Sequence, residues 1–218
     1  MRITLPSGTP ASLHTPDGDV AMGLVIATDI LGVRPLFDDL VERLAAEWSM
    51  AVCAVEPFPG RDLPLDPAAR MEVVAELSDD DHLRDLLEGA AATGQERVGV
   101  IGFCMGGMYT LKAARADRFA RLVAFYGMIR VPPNWCGAGH GEPLDHLVAG
   151  HPDRVLAIIG EQDPYTPSED VTALEAVGVT VARYPQAEHG FAHDANRPAH
   201  RADDAADAFA RAREWLTS

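Results

Sequence analysis

Six short apolar runs, each followed by a longer stretch with one apolar face, constrain this chain more than any other feature. They occupy residues 22–27, 51–56, 98–103, 122–126, 155–159 and 179–183. All are rich in Val, Ile, Leu and Ala and lack the polar–apolar alternation of a strand with one wet face. A strand apolar on both faces must be covered on both, and a parallel sheet between helical layers meets that condition.

The intervening stretches supply the helices. Residues 35–47 place Leu36, Leu40, Val41 and Leu44 on one face. Residues 67–77 open with Asp66 as an N-cap and Pro67 in the first helical position. Ser78 precedes three aspartates at the head of 78–92, where negative charge suits a helix N-terminus. Further helices are expected at 105–115, 167–176 and 198–216. Strand and helix alternating in this way predict an α/β fold, with a mainly parallel, doubly wound sheet. Residues 2–15 carry turn signals at Pro6-Ser7-Gly8 and, just beyond, Pro16-Asp17-Gly18, so they read as an edge strand or hairpin. No repeat or composition break divides the chain, so one domain spanning 1–218 is expected. The longest stretch without periodicity is 129–151, and long loops in compact domains often carry function.

Charge and cysteine content narrow the partners. The net charge of −15 repels a polyanion, and no basic run offsets it locally, so no nucleic-acid partner is expected. No apolar run has the length of a membrane helix, and the first residues lack the apolar stretch of a secretory signal. A cytoplasmic protein with no membrane partner is the expectation. Three cysteines without regular spacing exclude a disulfide scaffold and a four-cysteine zinc site.

One of those cysteines stands out. The strand at 98–103 runs into Gly102-Phe103-Cys104-Met105-Gly106, and a helix follows at once. This is the G-x-nucleophile-x-G turn of hydrolases, with Cys104 in the nucleophile position. The turn is so tight that the residues two before and two after the nucleophile must be small. The same turn puts Cys104 at a helix N-terminus, where dipole and free N–H groups favour a thiolate. It also aims the Met105 N–H where an oxyanion would form. A plain buried cysteine in a glycine-rich turn is the bland alternative. Cys53, inside an apolar strand, reads as core; Cys136, in the long loop, reads as an ordinary loop thiol.

A thiol nucleophile needs a base, and the base needs a group that fixes its tautomer. Asp163 follows the strand at 155–159, in Gly160-Glu161-Gln162-Asp163. His189 follows the strand at 179–183, in Glu188-His189-Gly190-Phe191. Loops at the C-terminal ends of parallel strands line the ligand edge of an open sheet, so the three residues can converge there. Asp163 also fits a helix cap and His189 a surface histidine. His189 with His193 has the spacing of a metal pair, but no third ligand sits at a convincing distance, so no metal is expected.

Taken together, Gly102-Phe103-Cys104-Met105-Gly106-Gly107, Gly160-Glu161-Gln162-Asp163 and Glu188-His189-Gly190-Phe191 resemble the dienelactone hydrolase family. Asp29-Ile30-Leu31-Gly32 and Phe125-Tyr126-Gly127 extend the likeness over most of the chain. The resemblance implies an α/β-hydrolase fold without a large lid domain. It makes Cys104 the nucleophile, His189 the base and Asp163 its orienter, with the Ile30 N–H joining Met105 in the oxyanion hole. Asp29 falls where the family archetype has a glutamate that activates the thiol. The archetype holds a substrate carboxylate with arginines, one of them four residues past the histidine. That position is His193 here, with Arg197 nearby but out of register and Arg70 a loose match for the other. Tyr126 and Phe191 complete the weaker substrate-binding candidates. The implied activity is hydrolysis of a small ester or lactone without a cofactor, by a monomer or small homo-oligomer. The rival reading is a thiol-based redox or sensor protein on the same fold, with Cys53 or Cys136 as resolving partner.

Overall fold

A computed structural model covers residues 1–218. Eight strands form one sheet: β1 (Arg2–Thr4), β2 (Pro10–His14), β3 (Met22–Ala27), β4 (Met50–Val55), β5 (Val98–Phe103), β6 (Arg121–Phe125), β7 (Val155–Gly160) and β8 (Thr180–Tyr184). Their order is β1-β2-β4-β3-β5-β6-β7-β8. The first two strands are the expected antiparallel hairpin, and β2 joins it to β4; all later pairings are parallel.

Strand periodicity divides the core into two layers. On one face Leu24, Ile26, Val52, Ala54, Ile101 and Phe103 pack beneath α1 (Pro35–Trp48) and α7 (Ala202–Thr217). On the other, Val25, Ala27, Cys53, Val55 and Val100 meet α3 (Asp79–Ala92), α4 (Met105–Ala113) and α6 (Ser168–Ala176). Two-sided burial is why the inner strands show no alternation. The caps act as expected: Asp66 accepts from Ala68 and Ala69 N–H at the head of α2 (Pro67–Met71), and Ser78 accepts from Asp81 N–H.

Several boundaries differ from the expectations. The helix expected at 67–77 ends at Met71, and a short 3₁₀ turn over Val74–Glu76 follows. The final helix starts at Ala202 rather than Pro198, which leaves 198–201 to a loop. The 129–151 loop contains α5 (Pro143–Val148). Strand β8 is half-exposed because it closes the sheet edge, so its apolar residues do not mean two-sided burial. No helix is long and apolar enough to cross a membrane.

This strand order fixes where a site can form. After β3 the chain crosses to β4 on one side; after β4 it returns past β3 to β5 on the other. The loops that leave β3 and β5 therefore diverge and open a crevice at the C-terminal edge of the sheet. Ile30 leaves from one strand and Cys104 from the other.

Candidate active site

Cys104 joins β5 to α4 with φ 57° and ψ −119°, backbone angles that a non-glycine residue rarely holds. Such a conformation costs roughly 1–3 kcal/mol, so the surrounding structure must impose it. The imposition is visible on both sides of the turn. A Cβ on Gly102 would lie 2.2 Å from the Gly106 carbonyl oxygen, and one on Gly106 would lie 2.1 Å from that of Ala27. Helix α4 thus starts flush against the ends of β3 and β5, closer than any side chain allows. The result pushes the Cys104 thiol out into the crevice and leaves it partly exposed.

His189 and Asp163 meet it there. His189 Nδ1 lies 2.8 Å from Asp163 Oδ2 and donates to it. The other carboxylate oxygen, Oδ1, accepts the Tyr165 N–H at 2.8 Å, so Asp163 is fixed from two directions. Burial pulls the His189 pKa down. The charge of Cys104 and hydrogen bonds from Asp163 and Cys104 outweigh burial and push it up to about 10. Tyr165 stands over the ring, edge to face at 4.9 Å between centroids, and is itself half-exposed. Neither the Ile30 N–H nor the Met105 N–H has a backbone acceptor, as an oxyanion donor requires.

The crevice is a cavity of about 330 Å³. Cys104 and His189 open into it, walled by Ile30, Leu31, Met71, Met128 and Trp135, with Asp29, Arg34, Asp194 and Arg197 as its charged groups. A larger groove of about 940 Å³ runs between α1 and α7, but no nucleophile faces it. No cluster of His, Cys, Asp or Glu has the arrangement of a metal site.

The weaker candidates separate on placement. Arg197 lines the cavity beside Gly190 and makes no ion pair. Arg70 does not reach it. Its guanidinium is buried against the carbonyls of Pro64, Ile30 and Leu63, at 2.9, 3.3 and 3.4 Å, and over the Phe58 ring. A buried guanidinium needs its donors satisfied, and here the carbonyls of Leu63 and Pro64, just before α2, and of Ile30, after β3, accept from it. Tyr126 and Phe191 are fully buried, packed edge to face against one another, and cannot touch a ligand in the cavity. His193 is buried as well.

Asp29 lines the cavity without hydrogen-bonding Cys104. Arg34 grips it with two hydrogen bonds, at 2.6 and 2.8 Å, His193 Nε2 lies 2.9 Å away, and the Leu31 N–H donates at 2.9 Å. Burial alone would raise its pKa; the bonds from His193 and Arg34 hold it well below the usual carboxylate range. Its short side chain stops at these partners.

Sequence reasoning missed Arg34, Met128 and Trp135. Arg34 could have been found from its place, five residues past Asp29 in the same crossover loop. Trp135 lies in the 129–151 loop, which was expected to matter but offered no residue to prefer. Cys136 beside it is exposed and does not line the cavity.

Burial pushes the Cys53 thiol up to about 12. Iodoacetamide at pH 6 is therefore expected to alkylate Cys104 before Cys136, and Cys53 last or never, because only Cys104 sits beside an imidazolium that stays protonated there. Peptide mass spectrometry over a time course reads the order; Cys136 reacting first would count against an activated Cys104.

Residues 9–218 match the sequence model of the dienelactone hydrolase family. A candidate carboxymethylenebutenolidase of Salmonella typhimurium is 28% identical over an alignment covering 99% of this chain and 97% of that protein. The carboxymethylenebutenolidase of Rhodococcus opacus is 29% identical, covering 94% and 83% respectively. Among solved structures, a candidate dienelactone hydrolase of Klebsiella pneumoniae superposes with a TM-score of 0.84 at 27% identity, covering 100% of this chain and 98% of that one.

Proposed function

This chain belongs to the dienelactone hydrolase family, hydrolases of ester and lactone bonds, and from that membership we propose that it cleaves a small ester or lactone through Cys104, His189 and Asp163 by way of a thioester. The observation that carries this reading is the meeting of a strained, partly exposed Cys104 with an Asp163-bound His189 in one cavity.

The chemistry follows from those positions. The Cys104 thiolate attacks the carbonyl carbon; a C–S bond forms and the carbonyl π pair moves to oxygen. The Met105 and Ile30 N–H groups hold that oxyanion as it develops. When the intermediate collapses, the C–O bond to the leaving group breaks and His189 Nε2 gives it a proton. Neutral His189 then takes a proton from water, which attacks the thioester and releases the acid and the thiolate. Asp163 keeps the Nδ1 proton in place throughout, so Nε2 always faces the sulfur. Neither Cys53 nor Cys136 shares the cavity with Cys104, which favours hydrolysis over a disulfide-based redox role.

Charge suggests the substrate class. Asp29 already neutralises Arg34, and Asp194 engages the Asn196 N–H at 3.0 Å. Arg197 is the cation left without a carboxylate. A substrate with one carboxylate near the scissile bond would supply it. Loss of one charge-assisted hydrogen bond costs about 1.5 kcal/mol, about tenfold in kcat/KM. Arg197→Gln is expected to lose that factor on an anionic ester while a neutral ester with the same leaving group is unaffected. Equal losses on both would remove Arg197 from substrate recognition. The wider reading is tested with a panel of lactones and esters followed by a pH indicator; no turnover of any member would overturn it.

A further inference from the structure

A second buried polar chain lies beneath the site, and the proposed hydrolysis makes no direct use of it. It runs Tyr126–His193–Asp29–Arg34. The Tyr126 hydroxyl is 2.5 Å from His193 Nδ1, His193 Nε2 is 2.9 Å from Asp29 Oδ2, and Arg34 closes the far end with its two bonds to Asp29. An ionised Asp29 only accepts, so His193 Nε2 carries a proton and donates. Burial pushes the His193 pKa down, so the ring is neutral, and Nδ1 is bare and accepts from the Tyr126 O–H. Every member is satisfied, and the direction of each bond is determined.

The members come from different parts of the crevice. Asp29 and Arg34 lie on the β3–α1 loop that also carries Ile30. Tyr126 directly follows β6 with φ 40°, another strained non-glycine residue. His193 is four residues past His189 on the loop after β8. Its ring is buried and packs against Phe103, at 4.9 Å and 26°, and against Phe37, at 5.9 Å and 27°. The Tyr126 ring in turn meets His189 edge to face at 5.3 Å. One end of the chain therefore adjoins the base and the other adjoins Ile30.

We infer that His193 is a positioning residue that locks the loop carrying Ile30 to the loop carrying His189, so that the oxyanion donor and the base keep one mutual geometry. This rests on the proposed roles of Cys104, His189 and Ile30. An apolar side chain could fill the same space at lower desolvation cost. A fully bonded imidazole adds orientation, which packing alone does not give. The consequence is specific: cutting the chain should leave substrate binding alone and slow the chemical step, because the groups displaced act on the transition state.

The test uses Tyr126→Phe, His193→Phe, their double variant, His193→Gln and Cys104→Ala, with kcat and KM on a nitrophenyl ester and a thermal melt of each. Tyr126→Phe and His193→Phe are each expected to lower kcat about ten- to a hundredfold with KM within about twofold. The double variant should be no slower than the worse single one, since one broken link frees the whole chain. His193→Gln, whose amide can donate to Asp29 and accept from Tyr126 at once, should recover most of the loss. If both single variants stay within about twofold of the parent in kcat, or if their losses multiply, the inference is overturned. Should His193→Phe fail to fold, Tyr126→Phe decides alone, since it removes a single oxygen. Activity that survives Cys104→Ala would overturn the underlying reading as well; activity lost in Cys104→Ala but intact in Tyr126→Phe would overturn only the positioning role.

Discussion

Cys104→Ala is expected to lower ester hydrolysis by at least about a thousandfold, because under the proposed mechanism it removes the atom that forms the acyl intermediate. His189→Ala should do nearly the same, since without the imidazole the thiol loses its base and the leaving group its acid. The two losses should not multiply: Cys104 and His189 act as one unit, and an enzyme that lacks either has already lost the covalent route. Cys104→Ser tests the thiolate itself. A hydroxyl does not ionise beside His189 as a thiol does, and turnover should fall about a hundredfold or more while the geometry is kept. Asp163→Asn should be damaging for a different reason. The amide offers His189 Nδ1 a donor where it needs an acceptor, and the ring either flips its tautomer or turns away. Acid quench during steady turnover, followed by intact-mass analysis, should find the substrate acyl mass on the parent and none on Cys104→Ala. An acyl adduct on another residue, or near-parental rates in Cys104→Ala, would sink the assignment.

How much of this was legible beforehand depended on whether a feature is local. The inner strands were readable because burial on two faces leaves an unbroken apolar run, and β3, β5 and β7 lie where those runs lie. The turn at Cys104 was readable because its steric demand falls on Gly102 and Gly106 in the sequence itself. Strand β8 misled, since Val181 and Ala182, only partly buried, look the same in sequence whether the next layer is a helix or water. The helix expected at 67–77 ends at Met71, and Arg70 in its last turn bonds the carbonyls of Pro64, Ile30 and Leu63, the Ile30 contact being one that local spacing does not encode. The weaker site candidates divide on the same ground: Arg197 lines the cavity, whereas Arg70, Tyr126, Phe191 and His193 do not. Whether Arg70, Arg197 or Arg34 faces the crevice depends on loop packing between residues far apart in sequence, and spacing does not encode that. Asp29 was expected to act on the thiol; its bonds to Arg34 and His193 were not foreseen, and the second partner lies 164 residues away.

Gly106→Ala should be among the most destabilising single-methyl additions this chain can receive. The new Cβ would sit 2.1 Å from the Ala27 carbonyl oxygen and 2.3 Å from that of Thr28. Both are backbone atoms at the end of the central strand β3, and neither can yield by a rotamer change. Relief requires α4 to move away from β3. That movement also breaks the packing of Met105 and Met108, which are fully buried under the helix. Overpacking in a well-filled core costs about 1–3 kcal/mol where side chains give way, and a clash with fixed backbone lies at or above the top of that range. Gly60→Ala provides the contrast. Unlike Gly106, it has a positive φ, 73°, but nothing lies within 4 Å of the added atom, so its cost is limited to backbone strain of about 1 kcal/mol. Urea unfolding of the two variants should give a much lower midpoint for Gly106→Ala, or no soluble folded protein at all, and a small shift for Gly60→Ala. Whatever folded Gly106→Ala remains should also be a poor catalyst, since the retreat of α4 carries the Met105 N–H and the Cys104 sulfur away from Ile30 and His189. A Gly106→Ala protein with parental midpoint and parental turnover would mean that the tight turn neither holds the fold nor aims the thiol.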